Sequence, residues 1–203
     1  MKTTHTSTYA DEYFQYLQRR TALRKFLRKA YLRDIRKYCQ GKTIDFGCGV
    51  GDLLLMLPSG SVGFEVNAVA VEYNKAKGRA VELYLPEKDD YSFTMVQPGH
   101  YQTFTMNHVL EHLTNPARVI RRIFEGCHRV GIVRVVFTVP GHKGYASDKT
   151  HRTFIDVTYL EKHGLTENEF YRLAVKKYFP LNSELFGPYF THNELRLVFD
   201  ARK

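Results

Sequence analysis

The sequence predicts an α/β domain: a doubly wound, mostly parallel sheet with a terminal antiparallel strand pair, preceded by a basic N-terminal helical segment. Three observations carry this expectation. From residue 43 to 139, short apolar runs alternate with stretches of helical period. A glycine-rich turn, Gly47-Cys48-Gly49-Val50-Gly51, falls where the first strand gives way to a helical stretch. Two strand-like runs, 171–179 and 195–201, close the sequence with only a Pro/Gly/Asn loop between them. A length of 203 residues is a little above the ~150 typical of one domain. One domain over 1–203 is expected, with 1–40 as the basic helical segment and 41–203 as the α/β core.

The elements follow in order. Over 9–38, Leu23, Phe26, Leu27, Ala30, Tyr31, Ile35 and Tyr38 recur at three- and four-residue spacing, one apolar stripe of a long helix or two abutting ones. Gly41 is placed to end it. Thr43–Phe46 is a buried-type strand. Asp52–Leu57 reads as helix up to Pro58. Ser61–Phe64 is a second strand and Ala68–Lys77 a second helix. Ala80–Leu85 and Tyr101–Met106 are strands three and four. Asn115–Glu125 is a helix with Thr114 or Asn115 as N-cap and Pro116 in its first turn. Gly131–Val139 is strand five, ended by Pro140-Gly141.

Charge is concentrated at one place. Between Arg19 and Lys42 stand ten Lys/Arg and a single acid, Asp34, and this segment carries the whole net charge of +9. Its basic face is either a solvated helix face or an electropositive surface for phosphates, nucleic acid or an anionic membrane. No apolar run approaches the ~18 residues of a membrane span, and the polar start lacks a signal-peptide core. The three cysteines (Cys39, Cys48, Cys127) are too few and too scattered for a disulfide scaffold, which points to a reducing, cytoplasmic setting. The absence of a Cys-x-x-Cys pair argues against the commonest structural zinc sites as well.

The chemistry centres on Ile44-Asp45-Phe46-Gly47-Cys48-Gly49-Val50-Gly51. Glycines at every second position turn the chain tightly between a strand and a helix, at the carboxyl end of the sheet where open α/β folds bind ligands. Glu65 ends the next strand, where an acid can accept hydrogen bonds from both hydroxyls of a ribose. The dinucleotide spacing Gly-x-Gly-x-x-Gly is not met, since position 52 is Asp, and the Gly-Lys-Ser/Thr ending of a phosphate loop is absent.

Asp45 through Gly51 with Glu65 resembles the first two cofactor motifs of the class I S-adenosylmethionine-dependent methyltransferases. Met106-Asn107-His108-Val109-Leu110-Glu111-His112-Leu113, followed by Asn115-Pro116, is similar to the motif after strand four in the small-molecule branch of that family. The resemblance covers about residues 41–140 and implies a Rossmann-like fold with an antiparallel seventh strand and S-adenosylmethionine as cofactor. It implies that Asp45 sits near the methionine amino end, that Gly47, Cys48, Gly49 and Gly51 form the turn lining methionine and ribose, that Glu65 holds the ribose hydroxyls, and that Asn107 and His108 flank the sulfonium. Two positions depart from the family pattern. Val81-Glu82-Leu83-Tyr84-Leu85-Pro86 lacks the acid that usually reads the adenine amino group, and Gln102 stands where Asp often begins strand four. Adenine recognition then falls to another group such as a backbone amide, or cofactor binding is weaker.

His108-Val109-Leu110-Glu111-His112 also fits the His-x-x-Glu-His spacing of one group of zinc peptidases. It directly follows a strand-like run, and Asn115-Pro116 starts a new helix three residues on, so no metal is assigned to it.

The stretch Pro140–Phe154 leaves the carboxyl end of strand five and is expected to overhang the crevice. Asp148-Lys149-Thr150-His151 is similar to the Asp-Pro-Thr-His segment of methyltransferases of surface-glycan and lipid-linked sugar pathways, with Lys149 in place of Pro. His151 is the candidate general base, with Asp148 orienting or charging it; His142 and Tyr145 are secondary candidates. The leading expectation is O-methylation of a small polar or glycan-type acceptor, phosphate-bearing if the basic helix attracts it. RNA or DNA methylation through residues 19–42, and a methyltransferase-like binding subunit without catalysis, are the alternatives.

Overall fold

The computed structural model describes residues 22–180, 182 and 193–202, with side chains from residue 28 onward. Seven strands form one sheet: β1 (Thr43–Phe46), β2 (Val62–Glu65), β3 (Val81–Leu83), β4 (Thr103–Asn107), β5 (Arg134–Pro140), β6 (Tyr171–Phe179) and β7 (Glu194–Ala201). Their order is β3-β2-β1-β4-β5-β7-β6. The first five are parallel; β7 lies antiparallel to β5, and β6 antiparallel to β7. The expected doubly wound sheet with a terminal antiparallel pair is therefore present. Strand order reverses between β1 and β4, the kind of switch point beyond whose carboxyl ends open α/β sheets bind ligands.

Period-two alternation gives the sheet two unlike faces. Ile44, Phe46, Phe64, Phe104, Met106, Phe137, Leu197 and Phe199 belong to the main apolar core. The helix α4 (Pro116–Arg129), counted after α1 (Ala22–Arg36), α2 (Ala68–Ala76) and α3 (Pro86–Asp89), packs there through Val119, Ile120, Ile123, Phe124 and Cys127. Each such side chain contributes about 1.5–3 kcal/mol when fully buried. Asn115 caps α4 by accepting from the Arg118 amide at 3.1 Å, with Pro116 at the first helical position. The alternate strand positions, Asp45, Thr105, Thr138 and Arg196, are polar yet buried. On that side Tyr31, Leu32 and Ile35 of α1 form a separate cluster with Cys39 and Leu53. Asp34 of α1 is ion-paired with Arg196 of β7, so the helix is pinned to the sheet by a buried charge pair as well as by its apolar stripe.

Several boundaries differ from expectation. The helix expected over 9–38 is described only as α1; its earlier part lies outside the described residues. Asp52–Leu57 makes one 3₁₀ turn, Leu54–Met56, and not an α-helix: six residues before Pro58 are too few to offset nucleation. The third strand is shortened to Val81–Leu83 because Pro86 opens α3 and Tyr84 turns into the core. The stretch after β5 contains two short helices the periodicity did not indicate, α5 (His142–Ala146) and α6 (Val157–Lys162). Asp156 caps α6 by accepting from the Tyr159 amide at 2.6 Å.

Candidate functional site

The glycine turn lies at the switch point. Gly47, Gly49 and Gly51 have φ of 70°, 56° and 73°. A Cβ on Gly47 would lie 2.5 Å from the Val109 side chain, and one on Gly51 2.3 Å from Asn74 Oδ1. Glycine is required at both positions by conformation and by close approach. Asn74, fully buried, donates from Nδ2 to the Gly49 and Ala70 carbonyls, each at 2.7 Å. Its Oδ1 accepts from Arg79 at 3.1 Å, and the same guanidinium nitrogen reaches the Val50 carbonyl at 2.8 Å. Sequence reasoning missed this bracket; a polar pair at 74 and 79 flanking a helix end was its only signal.

Glu65 is buried and accepts three backbone N–H groups: Gly49 at 2.8 Å on Oε2, Val66 at 2.8 Å and Asn67 at 3.0 Å on Oε1. It fixes the glycine turn against the start of α2 while keeping acceptor capacity. Cys48 is buried within the turn, and burial pushes its thiol far up, the character of a packing residue.

Asp45 and Asn107 stand on the neighbouring strands β1 and β4. Burial pushes the Asp45 carboxyl up to about 7, the Arg28 guanidinium pulling the other way and the charge of Glu65 adding to the rise. Asn107 donates to Thr105 Oγ1 at 2.8 Å, while its buried Oδ1 has no partner among the described residues. A buried carboxyl held near neutrality and an orphaned carbonyl oxygen together fit an ammonium group. The amino end of S-adenosylmethionine therefore suits the place the motif implies.

His108, at a φ of 55°, lies between two carboxylates. Its Nδ1 is 3.1 Å from Glu111 Oε1 and its Nε2 3.0 Å from Glu194 Oε2, with the Tyr31 ring 5.6 Å away. Burial opposes a charge on this imidazole, but Glu194, Tyr31 and Glu111 outweigh it and hold the pKa well above the usual histidine range.

The 3₁₀ turn Leu110–His112 brings Glu111 and His112 against the segment after α5. The Arg152 and Thr153 amides donate to the Glu111 carbonyl at 2.8 and 3.1 Å, and the Thr153 hydroxyl donates to the Leu113 carbonyl at 2.9 Å. His151 Nδ1 is 2.8 Å from the Tyr145 carbonyl. Because a carbonyl only accepts, Nδ1 carries the hydrogen, and neutral His151 presents its lone pair at Nε2. That Nε2 lies 3.9 Å from both Glu111 Oε1 and Asp148 Oδ2. Asp148 hydrogen-bonds Thr150, through amide and hydroxyl at 2.8 and 2.7 Å. These donors outweigh its partial burial and keep its carboxyl below the usual range. The group orienting the His151 ring is thus the Tyr145 carbonyl. His112 Nδ1 is 3.1 Å from Thr150 Oγ1, and its ring meets that of His151 edge-on at 4.8 Å. Tyr145 stacks on His151, and His142 rests against Phe154. The two histidines of the His-x-x-Glu-His spacing go separate ways, His108 to Glu194 and His112 to His151.

Glu194 and Arg196, missed in the sequence, complete this side. They occupy alternate positions of β7, and their signal was the charged Glu194-Leu195-Arg196 pattern in an apolar strand. Arg196 is fully buried, paired with Asp34, and stacked over the rings of Tyr31 and Phe179 at 5.4 and 5.9 Å. Its neighbours in register across the sheet are Thr138 and, beyond it, Asn107.

Of the basic segment, Arg19, Arg20, Arg24 and Lys25 lie outside the described side chains. Arg28 pairs with Asp52 at 2.7 Å, and Arg36 donates to the Met56 and Cys39 carbonyls at 2.9 and 3.0 Å. Lys29, Arg33 and Lys37 are exposed. Among the described residues no helix is long and apolar enough to cross a membrane.

A family model described as a methyltransferase domain matches residues 13–196. Among curated proteins none matches the chain. Solved structures share the fold at low identity. An S-adenosylmethionine-dependent methyltransferase from Thermotoga maritima has a TM-score of 0.65 at 13% identity, covering 96% of each chain. The methyltransferase complexed with the Haloferax volcanii Trm112 activator has 0.65 at 12%, covering 97% of each. An enzyme of this type from Archaeoglobus fulgidus has 0.59 at 17%, covering 86% of this chain and 93% of its own. With the family match spanning most of the chain and the glycine turn and Glu65 placed beside the switch point, the chain belongs to the methyltransferase-domain family and is an S-adenosylmethionine-dependent methyltransferase.

Proposed function

We propose that the enzyme methylates a hydroxyl group of a small polar acceptor, of glycan type. The observation that carries this reading is the His151 imidazole, with Nδ1 fixed by the Tyr145 carbonyl and Nε2 turned toward buried Glu111. An alcohol must lose its proton as it becomes an ether, and a fixed neutral imidazole beside a carboxylate is suited to receive it. S-adenosylmethionine supplies a methyl group already attached to a good leaving group. The work left to the chain is positioning and proton removal.

The division of labour follows the geometry. Gly47, Cys48, Gly49 and Gly51 line the cofactor side, Glu65 accepts from the ribose hydroxyls, and Asp45 with Asn107 receives the ammonium. Val66 and Leu83 are exposed apolar residues next to Glu65, with Leu83 its neighbour in register on β3. They offer the adenine an apolar edge where the usual acid is missing. Asn107 and His108 border the sulfonium side. His151 Nε2 takes the hydroxyl proton as the new C–O bond forms, and Asp148, 3.9 Å away, adds negative potential to the resulting imidazolium.

The test is S-adenosylhomocysteine release with a panel of sugars, sugar phosphates, amines and oligonucleotides, for the wild type and His151→Ala. Turnover on hydroxyl acceptors, falling about 10²–10⁴-fold in the variant while cofactor binding persists, is expected. Turnover confined to amines or oligonucleotides, or undiminished in His151→Ala, overturns the reading.

A further inference from the structure

We propose that Glu111, His112 and His151 bind a divalent transition-metal ion, whose open coordination positions receive the acceptor hydroxyl. This rests on reading that pole of the crevice as the acceptor site, and it adds a component that reading does not require.

One donor atom from each of the three residues lies within 4.8 Å of the others. Metal–ligand bonds of about 2.1 Å place ligands about 3–4 Å apart, so small side-chain torsions close the set. Two imidazoles and one carboxylate on one side of an ion are a donor set for Mn, Fe, Co or Zn, and leave positions open. The supporting contacts are those a ligand set needs. His151 donates through Nδ1 to the Tyr145 carbonyl, and His112 engages Thr150 Oγ1, whose hydrogen goes to Asp148. Both rings are held by their far nitrogens, leaving each Nε2 for a metal. The carboxylate is independent evidence. Glu111 has a side chain only 1% exposed, and its Oε2 has no hydrogen-bond partner among the described residues. A buried carboxylate oxygen without a donor is costly unless something occupies the space before it. Finally, the two contributing segments are already joined, since the Arg152 and Thr153 amides both bond the Glu111 carbonyl.

An ion there acidifies a hydroxyl bound to it. The O–H bond breaks, the proton passes to solvent, and the oxygen lone pair forms the bond to the methyl carbon as the carbon–sulfur bond breaks. His151 is then a ligand, and it acts as the base only in the metal-free protein.

The experiment uses the untagged full chain, stripped with EDTA and titrated with Co²⁺ by visible absorption and calorimetry. One ion per chain is expected, with affinity reduced at least tenfold in His112→Ala and in His151→Ala and unchanged in His100→Ala, which lies at the other end of β4. His112→Ala, at a half-buried position, suffices if His151→Ala does not fold. Turnover should fall at least tenfold in EDTA, to the level the metal-free His151 base supports, and be restored by Co²⁺ or Mn²⁺. Absent Co²⁺ binding, equal binding by all variants, or turnover indifferent to EDTA overturns the proposal. S-adenosylhomocysteine binding, measured in EDTA, fails only if the cofactor site itself is misread.

Discussion

Removal of the Glu65 carboxylate separates its two tasks. In the protein alone it accepts three backbone N–H groups, from Gly49, Val66 and Asn67. Hydrogen bonds to a charged acceptor contribute about 1.5–3 kcal/mol each, but amides freed at a crevice regain water. Glu65→Ala should therefore cost about 2–4 kcal/mol of ligand-free stability, a fall of roughly 4–16 °C in Tm for a chain of this size. The ribose contact is a further loss. Two hydroxyls donating to a carboxylate are worth about 3–6 kcal/mol together, or about 10²–10⁴ in Kd. Glu65→Gln keeps the side chain's size and one oxygen, and should lose less stability than Glu65→Ala. It still turns an amide N–H₂ toward donors, so it should lose most of the affinity. Calorimetric titration with S-adenosylhomocysteine, beside urea unfolding of each ligand-free variant, measures both quantities. A Kd within about threefold of wild type in either variant, with the protein folded at the assay temperature, would refute the assignment of Glu65 to the ribose.

Three further outcomes follow from the buried polar groups. Asp34→Ala should cost about 3–5 kcal/mol in urea unfolding by stranding the Arg196 charge, whereas Asp34→Leu with Arg196→Met should recover most of it; equal losses would contradict the pairing. Burial pushes the Asp45 carboxyl up to about 7, so the native state keeps a proton that the unfolded chain sheds from about pH 4 upward. Its contribution is greatest below pH 4 and declines until about pH 7, by on the order of 4 kcal/mol. Asp45→Asn should flatten that slope in urea titrations across pH 4–8 and weaken S-adenosylhomocysteine binding at pH 8. Asn74→Ala removes the donor to the Gly49 carbonyl and should cost about 1–3 kcal/mol, seen as faster hydrogen exchange in residues 47–51; unchanged exchange there would show that the turn is held without it.

Legibility in the sequence depended on how local each signal was. The parallel strands, the glycine turn and the antiparallel end pair are written in contiguous residues, and they stand in the structure within three residues of the expected bounds. Asp52–Leu57 misled because apolar period alone cannot weigh a six-residue helix against Pro58. The candidate site divides the same way. Glu65 stood out as the acid ending β2, next to the glycine turn, while Asp45, one residue before the end of β1, and Asn107, the last of β4, were singled out by the motifs they resemble. Glu111 and His112 were in view but unassigned, since their partner His151 comes from a segment about forty residues later that only the fold brings near. Arg196 and Glu194 were hidden because alternation was counted for apolar residues only. Arg196 continues a polar row, Asn107–Thr138–Arg196, across three strands. Helix α1 covers that row and neutralises it through Asp34. Helix α1, conspicuous in the sequence for its charge, thus also packs on the polar side of the sheet through Asp34 and its apolar stripe. Its apolar stripe and Asp34 predict that shortening α1 should disturb the acceptor pole more than the glycine turn.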